Sequence, residues 1–200
     1  MIIGFEFFVV ENLIFISLIL QGQEASSKDS LLFFNPNFMS ISRPHPLWTS
    51  CSSNPFEVNK AIVQASFLSG RYTTDYLARH WNHSNPAGYC LLCPDKFIPG
   101  TLQHLLLECD AFHTKRQSIC EFWMKQADDN PHLLQLLQDM LQSPPSVLIQ
   151  FLLDPSTLPQ AISMSQAGNI NIDFVFYLTR TYCYGIHRRR LQLTGRFKIL

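Results

Sequence analysis

The chain has 200 residues, 46% hydrophobic and 15% charged, and its 15 basic and 15 acidic side chains cancel to a formal net charge of zero. That length and apolar fraction suit one or two domains with a buried core, while the balanced charge excludes polyanion binding driven by bulk electrostatics alone. Six cysteines are too few in a chain of this length for a disulfide-stapled secreted scaffold, so an intracellular, reducing compartment is expected, nuclear or cytoplasmic.

The first stretch, MIIGFEFFVVENLIFISLIL, is strongly apolar, but it lacks a basic n-region and is interrupted by Glu6, Glu11 and Asn12. Its clean run from Leu13 to Leu20 is too short to span a bilayer. Residues 1–21 therefore read as an apolar leader rather than a signal peptide or membrane anchor, and a membrane is not the expected partner. Residues 22–55 mix Ser, Asn and Pro without periodicity and read as a disordered linker. Residues 56–200 read as a helical domain.

In that domain Val58, Ala61, Ile62, Ala65 and Leu68 recur at helical spacing, with Gly70 as a stop. Thr73 or Thr74 caps a second, short helix carrying Tyr76, Leu77 and Trp81. NHSNPAG is a turn that delivers the chain to Cys90, and PDKFIPG is a loop. Thr101 then caps a helix with Leu102, Leu105, Leu106 and Cys109 on one side. A helix is expected from about Ala111 to Gln126 with Phe112, Ile119, Phe122 and Trp123 as its stripe. NPHLLQLLQDMLQ and PPSVLIQFLLD read as helices with Pro near their starts. PSTLPQ reads as a break. A long last helix is expected from about Asn171 to Leu193, with Phe174, Tyr177, Leu178, Thr181 and Tyr182 on one side. No strand pattern persists, so the fold class is mainly α.

Chemistry concentrates in YCLLCPDKFIPGTLQHLLLECDAF, where Cys90, Cys93, His104 and Cys109 are spaced C-x2-C-x10-H-x4-C. Zinc takes four such ligands in a tetrahedron, and a C-x2-C pair can chelate through both sulfurs across a tight turn. Zn²⁺ is the expected cofactor. On one unbroken α-helix His104 and Cys109 would point about 140° apart, so the helix must end or bend near Glu108. Lys96 can offset the net charge of about −1 left by three thiolates and Zn²⁺. Cys120, His113, His80 and His83 are near enough in sequence to stand in as ligands, His113 foremost. With four protein ligands no water position remains, so the site would be structural. A hydrolytic site would need an open position and a base, for which Glu108 is the only candidate. No βαβ pattern surrounds the Cys pair to suggest a thioredoxin-like motif.

The flanks of this cluster, VNKAIVQASFLSGRYTTDYLARHW, GYCLLC, GTLQHLLLECDAF, QFLLDPSTLP and FYLTRTYCYGIHRRRLQLTGRF, resemble the C-terminal region of non-LTR retrotransposon polyproteins. That region follows the reverse transcriptase and is known as its zinc-binding domain. The resemblance covers roughly residues 56–197 and carries the family's ligands onto Cys90, Cys93, His104 and Cys109. Many relatives place a proline after the last cysteine, where this chain has Asp110. No [FY]-x-D-D polymerase box is present, since Gln126 stands at the aromatic position before Ala127, Asp128 and Asp129. No endonuclease residues precede the domain, so the chain resembles a detached tail of an element and is not read as an enzyme.

The resemblance implies a non-catalytic accessory that holds RNA or DNA. Arg71, Arg79, Arg116 and the run Arg188, Arg189 and Arg190 are candidate phosphate contacts, and Tyr72, His80 and Trp81 are candidate stacking residues. The alternative is a structural or protein-interaction domain, a remnant without retained activity, which the neutral charge and the aromatics of the last helix favour. Convergence of Arg71, Arg79, Arg188 and Arg189 on one face would favour nucleic acid, and interleaved acids would favour a protein partner.

Overall fold

The computed structural model describes residues 45–51, 54–80 and 82–195. The apolar leader, most of the expected linker and Trp81 lie outside the described residues. The described residues are mainly helical, as expected. They contain α1 (Pro46–Thr49), α2 (Pro55–Leu68), α3 (Asp75–Ala78), α4 (His113–Gln126), α5 (Pro131–Gln142), α6 (Pro145–Leu153), α7 (Pro159–Gln166) and α8 (Ile172–Leu193). Their only β pairing is an isolated antiparallel bridge between Tyr89 and Pro99. No described helix is long and apolar enough to cross a membrane.

The helix starts follow from capping chemistry. Asn54, Thr74, Asn130 and Asn171 each accept backbone N–H groups of the first turn through their side chains, which satisfies donors that have no intrahelical partner. Proline opens α2, α5, α6 and α7, where its missing N–H is no loss. The same preference explains a departure from expectation. PSTLPQ is not a simple break but a 3₁₀ turn (Pro155–Thr157) followed by α7, with Pro159 at the first helical position.

Helix α8 is the axis on which α1, α2, α4, α6 and α7 pack. Val175, Phe176, Leu178, Thr179, Arg180, Tyr182, Cys183 and Ile186 are buried along it, a wider arc than the one side expected. Trp123, Phe67, Phe112 and Phe151 are among the largest fully buried side chains, each contributing on the order of 1.5–3 kcal/mol by leaving water. Gly185 sits within α8, where glycine costs about 0.5–1 kcal/mol relative to alanine. A Cβ there would meet Ile119 Cδ1 at 2.8 Å and Lys115 Cε at 3.2 Å, so the glycine lets α4 approach α8 closely.

The face of α2 also departs from the apolar stripe. Lys60, Ala61, Gln64, Phe67 and Leu68 are the buried positions. The two polar ones are both satisfied, Gln64 by α6 and α8 and Lys60 by Glu57 of its own helix and by Thr181 of α8. Gln64 Nε2 donates to the Leu152 carbonyl at 2.7 Å and to Thr179 Oγ1 at 3.0 Å, and Lys60 Nζ binds Glu57 Oε1 at 2.8 Å.

The packed unit also begins earlier than expected, because the end of the supposed linker is ordered. His45 Nδ1 accepts the Leu47 N–H at 3.1 Å, which makes Nε2 the protonated nitrogen that donates to Asp154 Oδ2 at 3.0 Å. Arg180, 2% exposed, donates to the Leu47 carbonyl at 3.2 Å, to Ser50 Oγ at 2.6 Å and to the Ser50 carbonyl at 3.0 Å. Burial lowers the pKa of this guanidinium, and the acceptors on α1 are what keep the buried charge solvated. Arg180→Met should leave these carbonyls unpaired and lower stability by about 1–3 kcal/mol in denaturant melts, with proteolysis gaining access first around residues 45–51.

Candidate metal centre

The site is built from a hairpin and one irregular turn of helix. The Asn85 side chain accepts the Tyr89 N–H at 3.1 Å and donates to the Tyr89 carbonyl at 2.6 Å, bracing the strand that carries Cys90. Gly88 adopts φ +67°, and a Cβ there would lie 2.8 Å from Tyr76 Cα, so both its conformation and its surroundings require glycine. Backbone bonds from Cys90 N to the Ile98 carbonyl and from Gly100 N to the Gly88 carbonyl, both 2.8 Å, close the hairpin. At its tip Cys93 N donates to the Cys90 carbonyl at 3.2 Å. The C-x2-C segment is therefore a tight turn.

The other two donors, His104 and Cys109, open and follow the segment His104–Glu108, which is π-helical. Cys109 N donates to the His104 carbonyl at 2.7 Å, an i to i+5 bond, and Cys109 then leaves the helix with φ −60° and ψ 120°. The wider turn removes the mismatch of an α-helix and places residues five apart on one side. The bend expected near Glu108 is thus spread over the whole turn from His104.

The donor atoms of Cys90, Cys93, His104 and Cys109 all lie within 4.8 Å of one another, and all four residues are buried. The sulfur of Cys109 is 3.8 Å from that of Cys90 and 3.4 Å from that of Cys93. These separations are far from a disulfide bond and near the edge of about 3.8 Å of a tetrahedron with metal–sulfur bonds of about 2.3 Å. His104 is 3% exposed, and neither ring nitrogen has a hydrogen-bond partner. An imidazole buried with both nitrogens orphaned is costly, and a bound cation would satisfy one of them. The donor set fits a metal ion. Glu108 Oε2 stands 3.8 Å from Nδ1, on the rim of the site.

The thiols are tuned against one another. The hydrogen bond from Cys109 holds the Cys90 thiol down at about 5, helped by the Leu92 N–H. Cys109 is pushed up by that same bond and by burial. Loading a cation would release the protons that the thiols hold. Lys96 pairs with exposed Asp110, tying the loop to the residue after Cys109, and lies near enough to Cys93 and Cys109 to interact with their charge. The alternative ligands do not join the cluster: among the described residues no further Cys or His belongs to it.

Two long-range contacts fix the site to the helical body. Tyr182 Oη donates to the Leu106 carbonyl at 2.7 Å, within the π turn. Asp75 accepts the Leu91 N–H at 3.1 Å on Oδ2 and Arg190 Nη2 at 2.9 Å on Oδ1, and Arg190 Nη1 reaches the Thr73 carbonyl at 2.6 Å. Neither Asp75 nor Asn85 stands out in the sequence as part of the site. Their only signals are a cap-adjacent acid and a turn asparagine.

This geometry redistributes the residues expected at a nucleic acid. Arg190 is a clamp rather than a free cation. Tyr72 stacks on Phe67 with centroids 3.9 Å apart, bonds His187 Nδ1 at 3.1 Å through its hydroxyl, and has Arg190 over its ring at 5.4 Å. Its faces are already covered, so it is not a stacking platform. Arg79 lies 3.6 Å over the Tyr76 ring, and Arg116 has a buried Nη1 without a hydrogen bond. Arg71, His80 and Arg189 are exposed, and Arg188 is half-buried, beside Tyr184.

Comparison of the chain with protein-family models, curated proteins and solved structures returns no match. Tyr182→Phe should strand the Leu106 carbonyl and destabilise the protein by about 1–3 kcal/mol. Urea titrations of both proteins check this, and the variant should also release metal at lower chelator concentration.

Proposed function

We propose that the chain is a non-catalytic zinc-binding module in which one Zn²⁺ closes the hairpin of residues 88–100 onto the helical body, and that it serves as a nucleic-acid-binding accessory. The observation that carries the zinc reading is the convergence of four buried donors within 4.8 Å. Three thiolates and an imidazole are a tetrahedral zinc set, and because the protein fills every position, none is left for a water or substrate. Cys90, Cys93, His104 and Cys109 would be its ligands. The nucleic-acid reading is supported by the resemblance of residues 56–197 to the tails of non-LTR retrotransposon polyproteins, whose ligand order the site follows.

A second reading, a protein-interaction module, is favoured by the exposed apolar tip of the hairpin. Phe97 is 70% exposed, Leu91 55% and Tyr89 39%. Phe97 holds φ 47°, a left-handed conformation that costs a side chain of this kind about 1–2 kcal/mol. Salt distinguishes the readings. Binding to RNA or DNA should weaken linearly in log affinity against log salt, whereas salt-insensitive capture of a partner would favour the tip.

Binding energy at such sites is largely folding energy. Cys93→Ser should therefore lose the metal and the hydrogen-exchange protection of residues 88–112. A variant that keeps that protection while metal-free would overturn the structural-zinc reading.

A further inference from the structure

The chain is neutral as a whole, yet one groove on it carries a single sign of charge. It lies between α2, α4 and α8, has a volume of about 690 Å³, and is lined by Lys60, Lys115, Arg188 and Arg189 together with Phe56 and Tyr184, with no acidic side chain. Lys60 is committed: it is 6% exposed, bonded to Glu57 at 2.8 Å and placed over the Phe56 and Tyr177 rings. Arg188 reaches the Tyr184 hydroxyl at 3.4 Å. Lys115 and Arg189 differ. Among the described residues neither makes a salt bridge.

Gly185 is what places Lys115 there. The Lys115 stem packs on α8 at this glycine, where a Cβ on residue 185 would be 3.2 Å from Lys115 Cε, and Lys115 and Gly185 line the groove together. Phe56 is the second unusual feature. Its ring is edge-on to Tyr184 with centroids 5.4 Å apart and has Lys60 4.8 Å from its centroid, yet it is 49% exposed, an aromatic surface in the same groove as Lys115 and Arg189.

We infer that this groove takes a single strand of nucleic acid, with phosphates on Lys115 and Arg189 and a base against Phe56. The inference rests on the nucleic-acid reading above and assigns its surface, moving it away from Tyr72 and Arg190. Cations along a groove with an adjoining aromatic ring are the combination that binds unpaired strands without sequence preference. A duplex keeps its bases stacked on one another and would leave Phe56 unused. An acidic peptide would engage the cations but has no base to place on the ring.

The test is fluorescence anisotropy of the full zinc-loaded chain with labelled oligothymidine and oligouridine across a salt series. Each neutralised phosphate of a single strand contributes about 0.7 to the slope of log affinity on log salt. The double variant Lys115→Gln, Arg189→Gln should therefore lower the slope by about 1.4 and weaken binding roughly tenfold or more. Phe56→Ala should weaken binding about tenfold, within the stacking range, and leave the slope unchanged. Lys125→Gln, on the exposed end of α4 beyond the groove, should change neither, and circular dichroism should show all variants equally helical.

Failure of the wild-type chain to bind any oligonucleotide or duplex overturns the nucleic-acid reading and this inference with it. Wild-type binding that the Lys115, Arg189 variant retains, with its slope, overturns the groove alone. A duplex or polyglutamate bound as tightly as the single strands, with no effect of Phe56→Ala, overturns the single-strand assignment.

Discussion

The hydrogen bond from Cys109 N to the His104 carbonyl, 2.7 Å long and spanning five residues, is the constraint on which the site depends. In α-helical register the imidazole and the last thiol would diverge by about 140°, and the four donors could not meet. One wider turn brings them together, and Cys109 then departs in extended conformation so that its sulfur faces those of Cys90 and Cys93. A π turn is less favourable than an α turn and persists where something compensates it. Here Tyr182 takes up the Leu106 carbonyl, and the buried, orphaned nitrogens of His104 leave a further stabilisation for a cation to supply.

The cluster of three cysteines and His104 and the helical body are thereby mechanically joined. Arg190 and Tyr182 both lie on α8, and between them they hold the hairpin through Asp75 and the π turn through Leu106. Two residues before Tyr182, Arg180 of the same helix holds α1. A single helix thus carries three attachments made by polar side chains, set among apolar residues that pack against α2, α4 and α6. That double duty explains why its buried arc is wide. It also explains why Arg190, which by residue type suits a phosphate, serves the fold instead.

Much of this was legible in the sequence, and the exceptions share a cause. The helices with an apolar face, α2, α4, α5, α6 and α8, follow from the spacing of their apolar and aromatic residues and, for α5 and α6, from the prolines near their starts. The ligand order Cys90, Cys93, His104, Cys109 identifies the donors, and the spacing of the last two even demands a departure from α-helix. What was hidden depends on partners distant in the chain. Gln64 and Lys60 look like solvent positions until Thr179, Leu152 and Thr181 are brought beside them. His45 and Ser50 look like linker until Asp154 and Arg180 arrive. Tyr72 and Arg190 look like a recognition surface until they are seen against Phe67 and Asp75. Helix α7 was obscured by prolines that open helices as readily as they break them.

The central claim is that a zinc ion bound by three sulfurs and one imidazole organises this fold. X-ray absorption at the zinc edge on the full chain tests it most directly. The account predicts one zinc per chain with about three sulfur scatterers near 2.3 Å and one nitrogen near 2.0–2.1 Å. A folded chain that purifies without zinc, or whose zinc shows a shell of light atoms alone, would contradict it.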